Sequence, residues 1–122
     1  MAVLELDCPA ALRSAAMAAL DACGVGDGHL SVELVDERRI QELNRDHRGF
    51  DRPTDVLSFP VDGAGPTTGP RELGDVVICA DHTEDVEEAV VHGVLHLAGH
   101  DHETDGGKML ALQDDVMARL RA

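Results

Sequence analysis

The chain has 122 residues, enough for one domain with a modest core, and its 10 basic against 24 acidic residues give a formal net charge of −14. No apolar run approaches the roughly 20 residues that span a bilayer, and the start, Met-Ala-Val-Leu-Glu-Leu-Asp, lacks the basic and apolar regions of a secretory signal. A soluble, cytoplasmic, single-domain protein over residues 1–122 is therefore expected, one that repels nucleic acid at long range unless its charge is segregated.

In chain order, Ala2 to Leu6 reads as a short strand and Ala10 to Cys23 as an alanine-rich helix that buries Leu12, Ala16, Ala19 and Leu20 before Gly24 stops it. Leu30, Val32 and Leu34 alternate as a second strand. Asp36 is placed to cap a helix carrying Ile40, Leu43 and His47 near one face and ending around Arg48-Gly49. Asp55 to Phe59, closed by Pro60, is a third strand. Val61 to Pro70 is a turn-rich loop, the expected mobile segment, and Leu73 to Cys79 a fourth strand. The acids from Asp81 to Glu88 lead into a helix, whose positive N-terminal end they favour. Met109, Leu112, Val116 and Leu120 recur at helical intervals in a closing helix. Strands alternating with helices predict an α/β (α+β) fold, a mixed sheet of about four strands with helices packed on it. Strand order is not readable from the sequence.

Cys8, Cys23 and Cys79 are widely spaced and form no CxxC pair, so they read as small buried hydrophobes rather than disulfides or thiolate ligands. Phe50 and Phe59 are the only aromatics besides histidine, which excludes an extended base-stacking platform of the single-strand-binding kind.

Four of the seven histidines fall within the eleven residues from His92 to His102. His92 and His96, four apart, share a helix face one turn from each other, as a bidentate metal clamp requires. His100 continues the interval, but on a straight helix it lies about 12 Å along the axis from His92, too far for one ion with bonds of about 2.0–2.1 Å. Gly99 can take the left-handed conformation and turn the chain, which makes His102 the better third ligand and His100 a neighbour. Three imidazoles, His92, His96 and His102, leave a tetrahedral zinc ion one open position, as catalytic sites have; the metal site thus sits at the end of a late helix. The spacing HxxxHxxGxxH also occurs in metzincin-type zinc peptidases, HExxHxxGxxH, but their glutamate position is Gly93 here, which removes the general base beside the first histidine. Asp101 and Glu103 are the nearby carboxylates that could substitute.

Three blocks, RGFDRPTDVLSFP (Arg48 to Pro60), LGDVVICA (Leu73 to Ala80) and HGVLHLAGHDHE (His92 to Glu103), together resemble the YbeY family of metal-dependent endoribonucleases. The resemblance covers about the last two-thirds of the chain. It implies an α+β fold, one Zn2+ per chain on His92, His96 and His102, Arg48 as the residue important for RNA cleavage, and single-stranded regions of ribosomal RNA as substrate, in 16S 3′ end maturation and ribosome biogenesis. It also implies ribosome-associated protein partners. The chain departs from the family in the short segment, Asp81 to Val91, before the histidine helix, which is expected to be shortened rather than lost. Thr54, Asp55 and Ser58 belong to the family pattern, and a capped turn and a packed strand explain them equally well.

Arg38, Arg39, Arg45, Arg48 and Arg52 crowd into fifteen positions against Glu42, Asp46 and Asp51, a local balance of +2 in an acidic chain. A cationic rim for phosphate contacts is the expectation. His29, His47 and His82 have no partner by spacing. Two other functions compete with the nuclease: a ribosome assembly factor with a mainly structural metal, and a zinc hydrolase of peptides or small esters, weakened by Gly93.

Overall fold

The computed structural model describes residues 4–62, 71–100 and 106–122. The elements are β1 (Leu4–Asp7), a 3-10 turn at Ala10–Leu12 running into α1 (Arg13–Ala22), β2 (Gly28–Val35), α2 (Glu37–Arg48), β3 (Val56–Pro60), β4 (Glu72–Cys79), a second 3-10 turn at Ala80–His82, α3 (Val86–Leu97) and α4 (Lys108–Leu120). They make the predicted α+β fold around one mixed sheet of four strands. Its order is β1-β2-β4-β3, with β1, β2 and β4 parallel and β3 antiparallel to β4. Ala2, Val3 and most of the turn-rich loop lie outside the described residues.

Strand alternation divides the sheet into two faces. Leu30 and Val32 of β2, with Val76 and Ile78 of β4, enter the main core beneath α1, α3 and α4; Leu57 and Cys79 face the other way and meet Ile40 of α2. Leu34 shares a face with Leu30 and Val32 yet is 45% exposed, because alternation assigns a residue to a face and does not decide what covers it. Pro60 ends β3 inside the ladder rather than beyond it, tolerated because β3 is an edge strand. Cys79 is fully buried, whereas Cys8 and Cys23 are half-buried and burial pushes their thiols up.

Asp36 caps α2, its carboxylate accepting from Arg39 N at 2.8 Å, and Gly49 closes it with φ 79°. Asp85 caps α3 by accepting from Glu88 N at 3.1 Å, and Arg121 after α4 clasps the same carboxylate at 2.7 and 2.9 Å. The backbone bond, then the guanidinium, hold the Asp85 carboxyl below its ordinary value. α3 is the central helix: Ala89, Val90, Val91, Gly93, Val94, Leu95 and Leu97 are all buried, and each large one contributes about 1.5–3 kcal/mol. Only a helix enclosed on nearly every side is this apolar.

The approach of α3 to the sheet is set by Gly93. A Cβ there would lie 2.5 Å from Val76 Cγ1 and 3.3 Å from Ser58 Oγ, and Ser58 Oγ donates to Gly93 O at 3.0 Å. Helix and sheet thus meet backbone to side chain, with no room for another carbon.

His29 acquires partners that spacing did not reveal. Its Nε2 meets Asp7 Oδ2 at 2.9 Å and its Nδ1 meets Glu72 Oε2 at 2.8 Å, bridging β1, β2 and β4. Hydrogen bonds to Asp7 and then Glu72 raise its pKa above the ordinary 6.5. His82 lies 3.5 Å from Glu37 at the start of α2, and the His47 ring packs edge-on against Phe59 at 4.9 Å.

Two outcomes follow from these contacts. Gly93→Ala is expected to destabilise by about 1–3 kcal/mol, the cost of overpacking outweighing the gain in helix propensity; in urea denaturation, combining it with Val76→Ala should cost less than the two single changes added. For His29, the folded state favours the protonated ring, so the bridge contributes fully below about pH 6.5 and its contribution fades as pH rises through the raised folded value. His29→Gln should therefore lose more stability near pH ~5.5 than near pH ~8.5; equal losses at both would show that the bridge is not ionic.

Candidate metal centre and cleft

His92 and His96 project from one face of α3 and are half-buried. Their Nε2 atoms stand 3.1 Å apart, with ring centroids at 4.7 Å and planes at 75°. Two nitrogens bound to one tetrahedral ion at about 2.0–2.1 Å lie about 3.3 Å from each other. The pair is therefore already at coordinating separation.

Each ring is held from behind. His96 Nδ1 donates to the carbonyl of His100 at 3.0 Å, and His92 Nδ1 donates to Gln113 Oε1 at 2.7 Å. With the proton on Nδ1, each ring carries its lone pair on Nε2, the tautomer a metal ligand needs. The His100 carbonyl reaches His96 because α3 ends in a Schellman turn: Gly99 N bonds His96 O at 3.0 Å, His100 N bonds Leu95 O at 3.1 Å, and Gly99 takes φ 101°. The turn expected at Gly99 is present, and its first effect is to orient His96.

Among the described residues, no three His, Cys, Asp or Glu side chains form a group that could hold a metal. His100 thus does not complete a triad with His92 and His96, and His102, with Asp101 and Glu103, lies outside the described residues. Gln113 was missed by the sequence reading. Its signal was a polar residue four after Met109 and three before Val116, on the apolar face of α4, where it is 7% exposed.

Arg48, Thr54, Asp55, Ser58, His92, His96 and His100 line one cleft of about 550 Å³, within the size range of ligand sites. The end of α2 brings Arg48 there, and β3, beside α3, brings the Thr54–Ser58 run. Thr54 and Asp55 serve the strand's start: Asp55 Oδ1 accepts from Val56 N at 2.8 Å and from Thr54 Oγ1 at 3.3 Å, while its carbonyl accepts from Cys79 N at 2.9 Å. Ser58 fastens α3 through Gly93. On the other side of His92 a second cleft of about 750 Å³ shares Asp55, Val56 and His92 but adds Glu84, Asp85, Glu88 and Gln113. The two differ in sign: Arg48 faces one, while the other adds Glu84 and Glu88, the charge of Asp85 being answered by Arg121.

The cationic rim is narrower than the sequence suggested. Arg38 and Arg39 pair with Glu42 at 3.8 and 3.2 Å, and Arg45 with Asp46 at 3.1 Å. Helical spacing of four and three residues puts Glu42 within reach of Arg38 and Arg39, whereas Arg45 meets its chain neighbour Asp46. Arg48 and Arg52 instead lie over the Phe50 ring, at 5.5 and 5.0 Å from its centroid.

The family model described as Endoribonuclease YbeY matches residues 7–121. The chain is similar to proteins named Endoribonuclease YbeY from Persephonella marina, at 36% identity over 118 residues, 84% of this chain and 77% of that one, and from Aquifex aeolicus, at 39% over 117 residues, again 84% and 77%. The Nitrobacter hamburgensis relative of the same name is 41% identical over 113 residues, 78% of this chain and 60% of its own length. Among solved structures, that of TM1509 from Thermotoga maritima superposes with a TM-score of 0.55 at 29% identity, covering 98% of this chain and 89% of the other. From residue 7 to residue 121, fold and motif blocks included, this chain belongs to the Endoribonuclease YbeY family.

Proposed function

We propose that this chain is a zinc-dependent endoribonuclease that cuts unpaired regions of ribosomal RNA, at the 3′ end of 16S RNA in particular, in the cytoplasm and in contact with the ribosome. The observation that carries the reading is the convergence of the His92 and His96 Nε2 atoms in the cleft that Arg48 also lines. His92, His96 and the predicted His102 would hold one Zn2+. When bound, such an ion supplies Lewis acidity and lowers the pKa of water toward 7.

The chain's own residues do the rest. Gln113 and the His100 carbonyl keep both imidazoles in the ligating tautomer. Arg48 offers planar donors to the phosphate oxygens on which charge grows during phosphoryl transfer. The contrast between the two clefts favours a phosphate on the Arg48 side of His92, since Glu84 and Glu88 repel it from the other, where Arg121 already answers the charge of Asp85. The acidic remainder of the surface suits basic ribosomal proteins as partners. Peptide hydrolysis is the weaker reading, because the position that would carry the peptidase glutamate faces Val76 and the sheet.

Elemental analysis should find about one zinc per chain, lost in His96→Ala and largely kept in His100→Ala. Gln113→Leu, which removes only the acceptor behind His92, should weaken zinc affinity by about 10–100-fold in a chelator competition; unchanged affinity would remove Gln113 from the site. Arg48→Ala, folded and loaded with metal, should lose single-turnover RNA cleavage by on the order of 10²–10³-fold, and Arg48→Lys should recover little. Full activity in Arg48→Ala would shift the reading to an assembly factor with a structural metal.

A further inference from the structure

Phe50 is an apolar ring 45% exposed on the surface of a strongly acidic protein, and two guanidiniums lie over it. A single exposed phenylalanine is ordinary. Three further observations make this one unusual.

First, the loop that carries it is held in shape. Gly49 N bonds Arg45 O at 3.0 Å, Phe50 N bonds Asn44 O at 3.4 Å and Arg52 N bonds Phe50 O at 2.9 Å. From α2, Asn44 Nδ2 donates to Arg52 O at 2.9 Å and Gln41 Nε2 to Asp51 Oδ1 at 3.0 Å. Asn44 is 2% exposed, so a buried side chain is committed to fixing this turn. Second, Arg38, Arg39 and Arg45 have carboxylate partners on their own helix, whereas among the described residues no carboxylate forms an ion pair with Arg48 or Arg52. Asp51, which stands between them in sequence, is engaged by Gln41. Third, Arg48 belongs to both settings, lining the cleft of His92 and His96 while touching the Phe50 ring.

A half-exposed ring with guanidiniums at 5.0 and 5.5 Å over it, on a held turn two residues from the cleft-lining Arg48, matches one nucleotide: a base that displaces a guanidinium takes the ring's π-face, and the displaced charge meets a flanking phosphate. We propose that Phe50 is a base-stacking platform for the nucleotide next to the phosphate held by Arg48, with Arg52 contacting the backbone phosphate beyond it. The platform rests on the endoribonuclease reading and extends it from the cut phosphate to a neighbouring base. Two phenylalanines cannot build an extended platform, and Phe59 packs against His47, but one base needs only one ring. Stacking accepts any base, so the site selects for an unstacked, single-stranded nucleotide rather than for a sequence.

The test uses the full-length protein and short, non-cleavable 2′-O-methyl oligonucleotides, one intact and the others each with a single abasic position. Phe50→Leu should bind the intact strand about 5- to 100-fold more weakly than the parent, the range for losing one base–aromatic stack, and Phe50→Trp should bind it at least as well as the parent. For one abasic position the parent should fall to the affinity of Phe50→Leu, whose own binding should not change. Arg52→Ala should lower the slope of log affinity against log salt by about 0.7, the share of one single-strand phosphate. Thermal melting of the variants guards against misfolding, and cleavage of ribosomal RNA by the parent is scored with the same preparation. A parent that cleaves RNA while Phe50→Leu binds the intact strand as tightly as the parent does overturns the platform alone. A parent that neither binds nor cleaves RNA overturns the endoribonuclease reading with it.

Discussion

The close approach of α3 to β3 and β4 at Gly93 sets the position of everything else in the site. With Val76 Cγ1 only 2.5 Å from where a Cβ would stand, and Ser58 Oγ bonded to the Gly93 carbonyl, the helix cannot rise from the sheet or roll upon it without breaking a packed contact. That fixed azimuth turns Ala89, Val90, Val94 and Leu97 into the core and leaves His92 and His96 facing the cleft. The glycine thus serves as the seat of the helix, and it stands where a zinc peptidase has its glutamate.

Around this seat the site is assembled from elements far apart in the chain, each held by ordinary structural bonds. A Schellman turn after Leu97 supplies the carbonyl behind His96, and α4, tied to the start of α3 by Arg121 and Asp85, supplies the amide behind His92. The two imidazoles differ in what orients them, one by local backbone and one by a tertiary contact. Rigid positioning of ligands by such outer partners is what lets a half-buried pair of nitrogens stand 3.1 Å apart.

Electrostatics are divided rather than uniform. A chain of net charge −14 keeps most arginines of α2 beside acids of the same helix, and gathers Arg52 and the cleft-lining Arg48 around one aromatic ring. Exposed ion pairs contribute little stability, but they mute the field of the arginines they engage. Of the remaining positive charge, that of Arg48 faces the cleft that the histidines also line.

The sequence by itself determined the mixed sheet, the capped helix from Asp36 to Gly49, the glycine turn at Gly99 and the same-face pairing of His92 with His96, because these depend on periodicities and backbone preferences that act over a few residues. The motif blocks likewise revealed the family. Strand order, the bridging of His29 to Asp7 and Glu72, the service of Gln113 to His92 and of Ser58 to Gly93, and the pinned loop beneath Phe50 were decided only by the tertiary structure. Each joins residues brought together by packing, and nothing in their local sequence separates a buried acceptor such as Gln113 from a solvated one. The cationic rim was misjudged for the same reason: a count of charges along α2 does not say which arginines are answered by Glu42 and Asp46 and which are left facing the cleft.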